Sequence, residues 1–331
     1  MGKDIDALAT RLRRVRALDT ENGQYERVKQ VLWRTWDTQR RPPYVQVRVP
    51  FIQAHTENEL LRRPAATRLL NPRGIAQRFY LLGLFEAQCR LTSGALFTKA
   101  LPIDGEGDRD GWTDLIAVDT LYSSRSNSYG RRDVKQHRTP NTAKIRQIHS
   151  ALTPLEKQGL AEVPRKNAHG HRDFERFTLM DEMGRGSHPT PRQYTTPDPR
   201  QKRFVGMPVN FFLEGWIHVL HPSEIATWLT LRFLRWQVPG EHEESRVFLY
   251  ADTREKGFFL KRDAYEDGCA MLRDLGLIRQ VQKAPDMEDT LYHPLPGWDR
   301  TWTASSVWPP PPSVDRRASR DRRLENGHHC D

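Results

Sequence analysis

The sequence comprises 331 residues, a length that suits two domains. Its net charge of +10 and its isoelectric point near 9.7 favour a polyanionic partner. Its apolar fraction of 37% is low for a compact protein, so we expect part of the chain to be irregular or disordered. Three widely spaced cysteines argue against a disulfide framework. Because the sequence shows neither a secretory signal nor a run of about 20 apolar residues, we expect a soluble, cytoplasmic protein that does not enter a membrane.

The first 43 residues are predicted to form a basic helical arm. Apolar residues recur at helical spacing in residues 4–18 and again in residues 25–36, and arginines occupy the rest of the first helix. Two interpretations remain open: a basic arm that grips phosphates, and a helical hairpin that packs on the first domain. After this arm, apolar and polar residues alternate over residues 45–51, which predicts a half-buried strand.

The next stretch supplies the first part of a predicted helix-turn-helix unit. Residues 72–91 have the pattern of a buried helix, and residues 112–120 are a candidate for a shorter second helix. The acidic loop between them, residues 104–111, alternates carboxylates with glycines, which is typical of a calcium loop or of a solvated turn. Counted from Glu106, the twelfth position is Ala117 where calcium needs a carboxylate, so we expect a solvated turn.

A basic loop, residues 121–138, leads into the helix around which the first unit is organised. This helix is predicted to begin at Asn141 or Thr142, either of which can cap it, and to end at Gly159, which suits the left-handed turn after a helix. Pro154 lies inside the pattern and predicts a kink or a shifted boundary, because proline lacks an N–H group.

A predicted hairpin follows this helix directly. Residues 160–163 and 174–180 have the pattern of strands on either side of a basic turn, which is the order of a recognition helix followed by a wing. His169 and His171 in this turn suggest either a metal site or a polar wing that faces phosphates. We favour the polar wing, because the tip of a turn is open to water.

A basic stretch rich in proline and glycine, residues 183–206, is predicted to be a linker that either follows a phosphate backbone or stays solvated. Beyond it, helices are predicted from Pro222 onwards and over residues 261–275. Gly276 closes the second of these helices, and strands are predicted over residues 277–282 and 290–293.

Short motifs recur between the two halves in the same order. Pro72, Ile75 and Ala76 match Pro222, Ile225 and Ala226, and Leu155, Gly159 and Leu160 match Leu272, Gly276 and Leu277. The offset between the copies falls from 150 to 117 residues, so the first copy carries an insertion of 33 residues, which the acidic and basic loops supply.

This arrangement resembles tandem winged helix-turn-helix proteins, and within that group the initiator proteins of plasmid replication. The resemblance covers roughly residues 70–295. It implies a mainly α fold with small β-wings, of the α+β class, with two winged helix-turn-helix domains. The predicted domains are a helical basic N-terminal arm (1–43), a first winged-helix domain with a long insertion (44–182), the linker (183–206), a second winged-helix domain (207–296) and a disordered tail rich in proline and arginine (297–331).

The resemblance implies sequence-specific binding of double-stranded DNA without covalent chemistry. The residues that would reach base edges lie on the two recognition helices and are Lys144, Arg146, Gln147, Lys261, Arg262 and Tyr265. The residues that would hold phosphates lie in the basic loop and the first wing and are Arg125, Arg131, Arg132, Lys135, Arg138, Arg165, Lys166 and Arg172. The second recognition helix also carries four acids, so a homodimer contact through the second winged domain is its alternative role.

No Walker loop, dinucleotide fingerprint, nucleophile elbow or His-Glu-x-x-His motif occurs, so no catalytic residue, metal site or cofactor is predicted. The leading hypothesis is a replication initiator or regulator of a plasmid or phage-like element, associated with the nucleoid in the cytoplasm. A chromosomal transcriptional regulator, a nuclease whose acids are distant in sequence, and a protein-interaction adaptor are the alternatives.

Overall fold

The structure is a computed structural model that describes most of the chain up to residue 294. The described residues are 8–13, 15, 16, 18, 23–57, 60–70, 74–117, 122, 123, 128, 129, 140–166, 170–185, 191–198, 200, 203–237, 247, 249–283 and 290–294. All of them belong to one unit, Met1–Leu295. The predicted tail and most of the predicted basic loop lie outside the described residues.

Helices dominate the described residues, and short strand pairs join them. The first half contains α1 (Gln24–Asp37), β1 (Tyr44–Arg48), α2 (Val49–Ile52), β2 (His55–Glu57), β3 (Leu60–Arg62), α3 (Ala65–Arg68), α4 (Ala76–Arg90), β4 (Tyr122–Ser123), β5 (Ser128–Tyr129), α5 (Pro140–Lys157), β6 (Ala161–Glu162) and β7 (Thr178–Leu179). The second half contains β8 (Phe204–Pro208), α6 (Asn210–Leu213), α7 (Trp216–Val219), α8 (Pro222–Gln237), α9 (Arg262–Asp274), β9 (Ile278–Lys283) and β10 (Thr290–Pro294). Within these ranges β1 pairs with β8, β2 with β3, β4 with β5, β6 with β7 and β9 with β10, all antiparallel. The predicted mainly α fold with small β elements is confirmed.

The N-terminal helical residues pack against the second half of the chain. Residues 8–13 are helical, and Arg11 among them is buried. The Arg11 guanidinium donates to both carboxylate oxygens of Glu224, at 2.7 and 2.8 Å, and to the carbonyl of Val219 at 2.7 Å. Arg11 is therefore engaged inside the protein, and it packs on the second half of the chain and not on the first domain as predicted.

The β1–β8 pair joins the two halves of the chain, with Gln46 opposite Gly206. Val45 and Val47 point from β1 into the core, as the alternating pattern predicts. The strand ends at Arg48, earlier than the pattern predicts. Helix α2 follows at once with Pro50 in its first turn, where a missing N–H group costs nothing.

Helix α4 forms the centre of the core, and every residue from Ala76 to Cys89 is buried. Its polar side chains have partners: Tyr80 Oη donates to the carbonyl of Met180 at 2.8 Å, and Gln88 Nε2 donates to Tyr194 Oη at 2.9 Å. The predicted buried helix is thus confirmed.

The predicted second helix over residues 112–120 is wrong in length. A single 3₁₀ turn covers Trp112–Leu115, and the backbone of Ile116 is already extended. Trp112 is fully buried against Phe79 and Phe177, so burial of one large ring fixes this segment rather than helical periodicity.

Part of the predicted linker packs on the first half. Tyr194 and Thr196 are buried, and residues 193 and 195 bridge to Met180 and Leu96. The sequence did not reveal this packing, because isolated anchors such as Tyr194 create no periodic pattern.

The two halves repeat one order of elements around the β1–β8 pair. The Val49 N–H donates to the carbonyl of Arg203 at 3.1 Å, and the Val209 N–H donates to the carbonyl of Pro43 at 3.0 Å. These two bonds relate residues 160 positions apart, as an approximate two-fold axis through the strand pair requires.

An aromatic contact between the short helix and the long helix occurs in both halves. Phe51 of α2 stacks on Tyr80 of α4 with ring centroids 5.5 Å apart, and Phe211 of α6 packs on Trp228 of α8 with centroids 5.0 Å apart. This third match between the halves was not predicted from the sequence. Its signal lies in the pairs Val45 with Val205, Val49 with Val209, and Phe51 with Phe211, all at an offset of 160.

Helices α5 and α9 end in the same capping motif. The Gly159 N–H donates to the carbonyl of Glu156 at 3.0 Å, and the Leu160 N–H donates to the carbonyl of Leu155 at 2.8 Å. After α9, the N–H groups of Gly276 and Leu277 make the equivalent bonds at 2.9 and 2.8 Å. Both glycines have positive φ, 69° and 72°, so each helix ends in a Schellman motif.

The two capping glycines are expected to respond differently to alanine. At Gly276 an added Cβ meets nothing within 4 Å, so Gly276→Ala should cost about 1–2 kcal/mol from the left-handed backbone alone. At Gly159 the Cβ would lie 2.7 Å from the Arg185 nitrogen, so Gly159→Ala should cost clearly more. Urea unfolding measures both free energies, and Gly276→Asn is the control because asparagine tolerates this conformation. Equal losses at both positions would contradict the packing described for Gly159.

Candidate nucleic-acid interface

Helix α5 presents one apolar face to the core and one polar face to solvent. Ile148, Leu152 and Leu155 are fully buried, as their spacing predicts. The helix continues through Pro154 to Lys157, although proline leaves one carbonyl of the preceding turn without an N–H donor. The predicted end at Gly159 is confirmed.

The first hairpin, residues 160–180, follows α5 directly. Strands β6 and β7 pair next to the helix, and further out the Lys166 N–H donates to the carbonyl of His171 at 2.7 Å. The returning strand is shorter than predicted: Phe174–Arg176 forms a 3₁₀ turn, and strand geometry begins at Thr178. The order of helix, strand, basic turn and strand agrees with the sequence prediction.

Arg172 fastens this hairpin to α5. Its guanidinium donates to Thr153 Oγ1 at 2.7 Å and to Glu156 Oε2 at 2.6 Å. It also lies 4.8 Å from the ring centroid of Phe174, which stacks on His149 at 3.9 Å. Burial lowers the pKa of His149, Glu175 opposes that shift, and the nearby Arg172 charge adds to it. Arg172, predicted to hold phosphate, therefore bonds within the protein and sets the angle between helix and hairpin.

Exposed basic residues remain on both parts of this surface. Arg146 is exposed on α5, and Arg165 and Lys166 are exposed on the first hairpin. Arg176, which was not among the predicted contacts, has a side chain that is 80% exposed. Gln147 is half-buried beside Gly74. The structure thus brings three of the predicted contact residues, Arg146, Arg165 and Lys166, to the solvent side of one helix and its hairpin.

Lys144 lies on the other side of α5, contrary to its predicted exposure to DNA. Its side chain is 7% exposed, and Nζ donates to the carbonyl of Thr113 at 2.9 Å. Burial lowers its pKa to about 8, with Asp114 opposing the shift. The sequence did contain this signal, because Lys144 stands one helical turn before Ile148 and so continues the apolar face.

Helix α9 is the counterpart of α5 but carries the opposite charge. Tyr265, predicted to reach bases, is 4% exposed and lies under Arg254, whose guanidinium is 5.9 Å from the ring centroid. Lys261 and Arg262 are exposed, and Arg262 pairs with Glu266 at 2.7 Å. Four acids are exposed on this helix: Asp263, Glu266, Asp267 and Asp274.

The remaining predicted phosphate ligands, Arg125, Arg131, Arg132, Lys135 and Arg138, lie outside the described residues, as does His169. Two carboxylates of the acidic loop have protein partners: Asp104 accepts from Thr113 Oγ1 at 2.9 Å and from Asn141 Nδ2 at 3.0 Å. Asp110 pairs with Arg34 at 2.6 Å. In the part of the chain that the structure describes, no group of three or more potential metal ligands is present.

A buried ion pair ties the first hairpin to the central strand. Glu182 is fully buried just after the hairpin, and Arg48 at the end of β1 donates to it at 2.5 Å and to the carbonyl of Thr195 at 2.6 Å. Burial raises the pKa of Glu182 to about 7, against the opposing effect of Arg48 and with the support of Asp181. This pair was not predicted from the sequence, because its members are 134 positions apart.

Comparisons with protein-family models, curated proteins and solved structures found no match to this chain. None of the helices among the described residues is long and apolar enough to span a bilayer.

Lys144→Met is expected to stabilise the fold at neutral pH by about 1–3 kcal/mol, because it removes a buried charge and keeps the length of the side chain. The folded-state pKa of Lys144, about 8, lies below its ordinary value of 10.5. Below pH 8 the cost of burying the charge is fully present, and from pH 8 to 10.5 the folded state loses the proton first, so wild-type stability recovers. Urea unfolding at pH 7 and 10.5 should therefore show the advantage of methionine shrinking at high pH. An advantage that is constant with pH would contradict the assignment.

Glu182→Gln should change the pH dependence of stability. The folded-state pKa, about 7, lies above the ordinary value of 4.5, so between these values the folded protein keeps a proton that the unfolded chain has released. Wild-type stability relative to the glutamine variant should therefore fall as pH rises from 5 to 8, by on the order of 1–3 kcal/mol. Chemical unfolding of both proteins across this range measures the difference. Glu162→Gln, at an exposed strand position, is the control and should show no such trend.

Proposed function

We propose that this chain binds double-stranded DNA in a sequence-specific way through α5 and the first hairpin. The observation that carries the proposal is the repeated unit of long helix, second helix, Schellman glycine and hairpin, with basic residues exposed on the first copy. A helix of this kind fits the major groove, and the adjoining hairpin lies beside the phosphate backbone.

The charge on the two copies assigns them different roles in this proposal. Arg146 of α5 reads base edges, with Gln147 beside it, while Arg165 and Lys166 of the first hairpin neutralise phosphates. The basic residues of the loop over 121–138 add phosphate contacts at the start of α5. Lys144, Arg172 and Tyr265 are left out of the DNA-contacting set, because each is engaged inside the protein.

The second copy serves protein contact in this proposal, for example in a homodimer. The four exposed acids of α9 repel a phosphate backbone, and the two positive charges of Lys261 and Arg262 do not offset them. Because the arrangement of elements resembles that of plasmid initiators, we assign the chain to replication initiation or to regulation of a plasmid or phage-like element. A chromosomal transcriptional regulator is the other role with the same chemistry.

Three variants test the DNA-binding surface in mobility shifts on duplexes selected from a random pool. Arg146→Ala should weaken binding to the best site by about 1–3 kcal/mol, roughly 5- to 150-fold, and relax sequence preference. Replacing Arg165 and Lys166 with alanine should weaken binding to all sequences and lower the salt slope by about 2. Lys144→Met is the matched control on the same helix and should bind as wild type does.

Two results would count against this proposal. Undetectable duplex binding by the wild type at low salt would remove its basis. An equal loss for Arg146→Ala and for Lys144→Met would show that binding does not depend specifically on the exposed face of α5.

A further inference from the structure

Trp33, on the outer face of α1, is exposed although its side chain is large and apolar. Its exposed fraction is 49%. The ring packs against Trp36 one turn later, with ring centroids 5.0 Å apart and an angle of 47° between the two planes. An exposure near one half is what a ring has when one side is covered and the other faces solvent. Trp33 therefore presents a flat aromatic surface to solvent.

Trp36 holds this surface in place. Its indole Nε1 donates to the carbonyl of Pro42 at 2.9 Å, and this bond closes the turn that follows α1. Trp36 is half-buried, so it supports Trp33 from the protein side. Because the ring of Trp33 is already backed by a fixed neighbour, it loses little conformational freedom when another flat group stacks on it.

The surroundings of Trp33 carry an excess of positive charge. Arg34 pairs with Asp110 at 2.6 Å, and in the turn after α1 Arg41 pairs with Asp37 at 2.9 Å. Two further arginines are exposed and form no ion pair in the part of the chain that the structure describes; they are Arg27 and Arg40. Two positive charges are therefore left over near this surface.

These two arginines stand on either side of Trp33 along the chain. Arg27 precedes Trp33 by six positions on α1, which is about 9 Å along the helix axis. Arg40 belongs to the turn that the Trp36 hydrogen bond closes at the other end of the helix. A ligand that lies along α1 over Trp33 thus meets a cationic residue at each end of the aromatic surface.

The acidic loop places this surface beside the start of α5. Asp110 of the loop pairs with Arg34 of α1. Asp104 of the same loop accepts from Asn141 Nδ2 in the first turn of α5 at 3.0 Å. The aromatic surface of α1 therefore adjoins the N-terminal end of the proposed recognition helix.

We propose that Trp33 is a stacking site for a base of single-stranded nucleic acid. Every base has a flat π-face, and proteins that bind single strands combine exposed aromatic rings with basic residues that follow the backbone. Paired bases inside a duplex are already stacked on their neighbours, so an exposed ring favours unpaired ones. Arg27 and Arg40 suit the phosphates on either side of the stacked base. An apolar protein partner would bring these two charges into an interface without partners.

The site goes beyond the proposed function, which concerns paired DNA on α5. Because the two surfaces adjoin, a strand that leaves a duplex bound on α5 can continue over Trp33. This continuation rests on the proposed function, whereas the stacking site does not, and single-strand binding can be measured without any duplex.

Fluorescence anisotropy of a labelled thymidine oligonucleotide of about 12 nucleotides tests the site at low salt. Trp33→Ala should weaken binding by about fivefold or more, because the stacking of one base is lost. Trp33→Tyr keeps a ring and should retain most of the affinity. Trp33→Leu keeps an apolar side chain without a ring and should bind as weakly as Trp33→Ala. Tyr250→Leu, the control, removes a ring that is 52% exposed elsewhere and should bind as wild type does.

The two arginines are tested by the salt dependence of the same binding. Replacing Arg27 and Arg40 with glutamine should lower the slope of log affinity against log salt by about 1.4, since each phosphate contact on a single strand contributes about 0.7. Replacing Arg200 and Arg203 with glutamine removes the same charge from exposed positions in another segment and should leave the slope unchanged.

Ultraviolet cross-linking of an oligonucleotide that contains 5-iodouracil, followed by mass spectrometry, should place the modified peptide at Trp33. A wild type that does not bind the oligonucleotide overturns the site, as do unchanged binding by Trp33→Ala and an equal loss for Tyr250→Leu. Wild-type affinity of Trp33→Leu would also overturn it and would assign the surface to an apolar partner. Failure of duplex binding alone would count against the proposed function and leave the single-strand result standing.

Discussion

The pairing of β1 with β8 is the constraint on which the rest of the structure depends. Five residue pairs join positions that are 156 to 164 apart in sequence, and each strand leads directly into a short helix, with a long helix further along the chain. Because the strands are antiparallel, the two copies face each other across this pair, and α4 and α8 fill the space on either side with apolar side chains. Neither copy keeps its first strand paired without the other.

Polar interactions then fix the position of the first hairpin. The Arg48–Glu182 pair holds the first hairpin to the end of β1, and Arg172 holds the same hairpin to α5. Glu182 is fully buried, and the Arg172–Glu156 pair is partly exposed, so the hairpin is restrained at its base and along its side. This arrangement gives the exposed face of α5 a defined geometry relative to Arg165 and Lys166.

Local features of the fold were predictable from sequence, whereas long-range ones were not. Helix ends at Gly159 and Gly276 follow from the backbone freedom of glycine beside apolar residues, and α4 follows from apolar residues that recur at helical spacing. The 3₁₀ turn at Trp112 and the packing of Tyr194 depend on single buried rings, which leave no periodic trace. For the candidate site, exposure of Arg146 followed from helical spacing. The same spacing also placed Lys144 on the apolar face of α5, but its charge led us to predict an exposed position.

The long separation between β1 and β8 also bears on how the chain is made. A ribosome that adds about 5–20 residues per second needs roughly 8–30 s to deliver Val205 after Val45 has emerged, a gap of 160 residues. During that interval the edge of β1, with Val45 and Val47 on its core face, has no partner strand. Unpaired edges of this kind invite pairing with other chains, so the nascent first half is the stage at which misassembly and chaperone binding are most favoured.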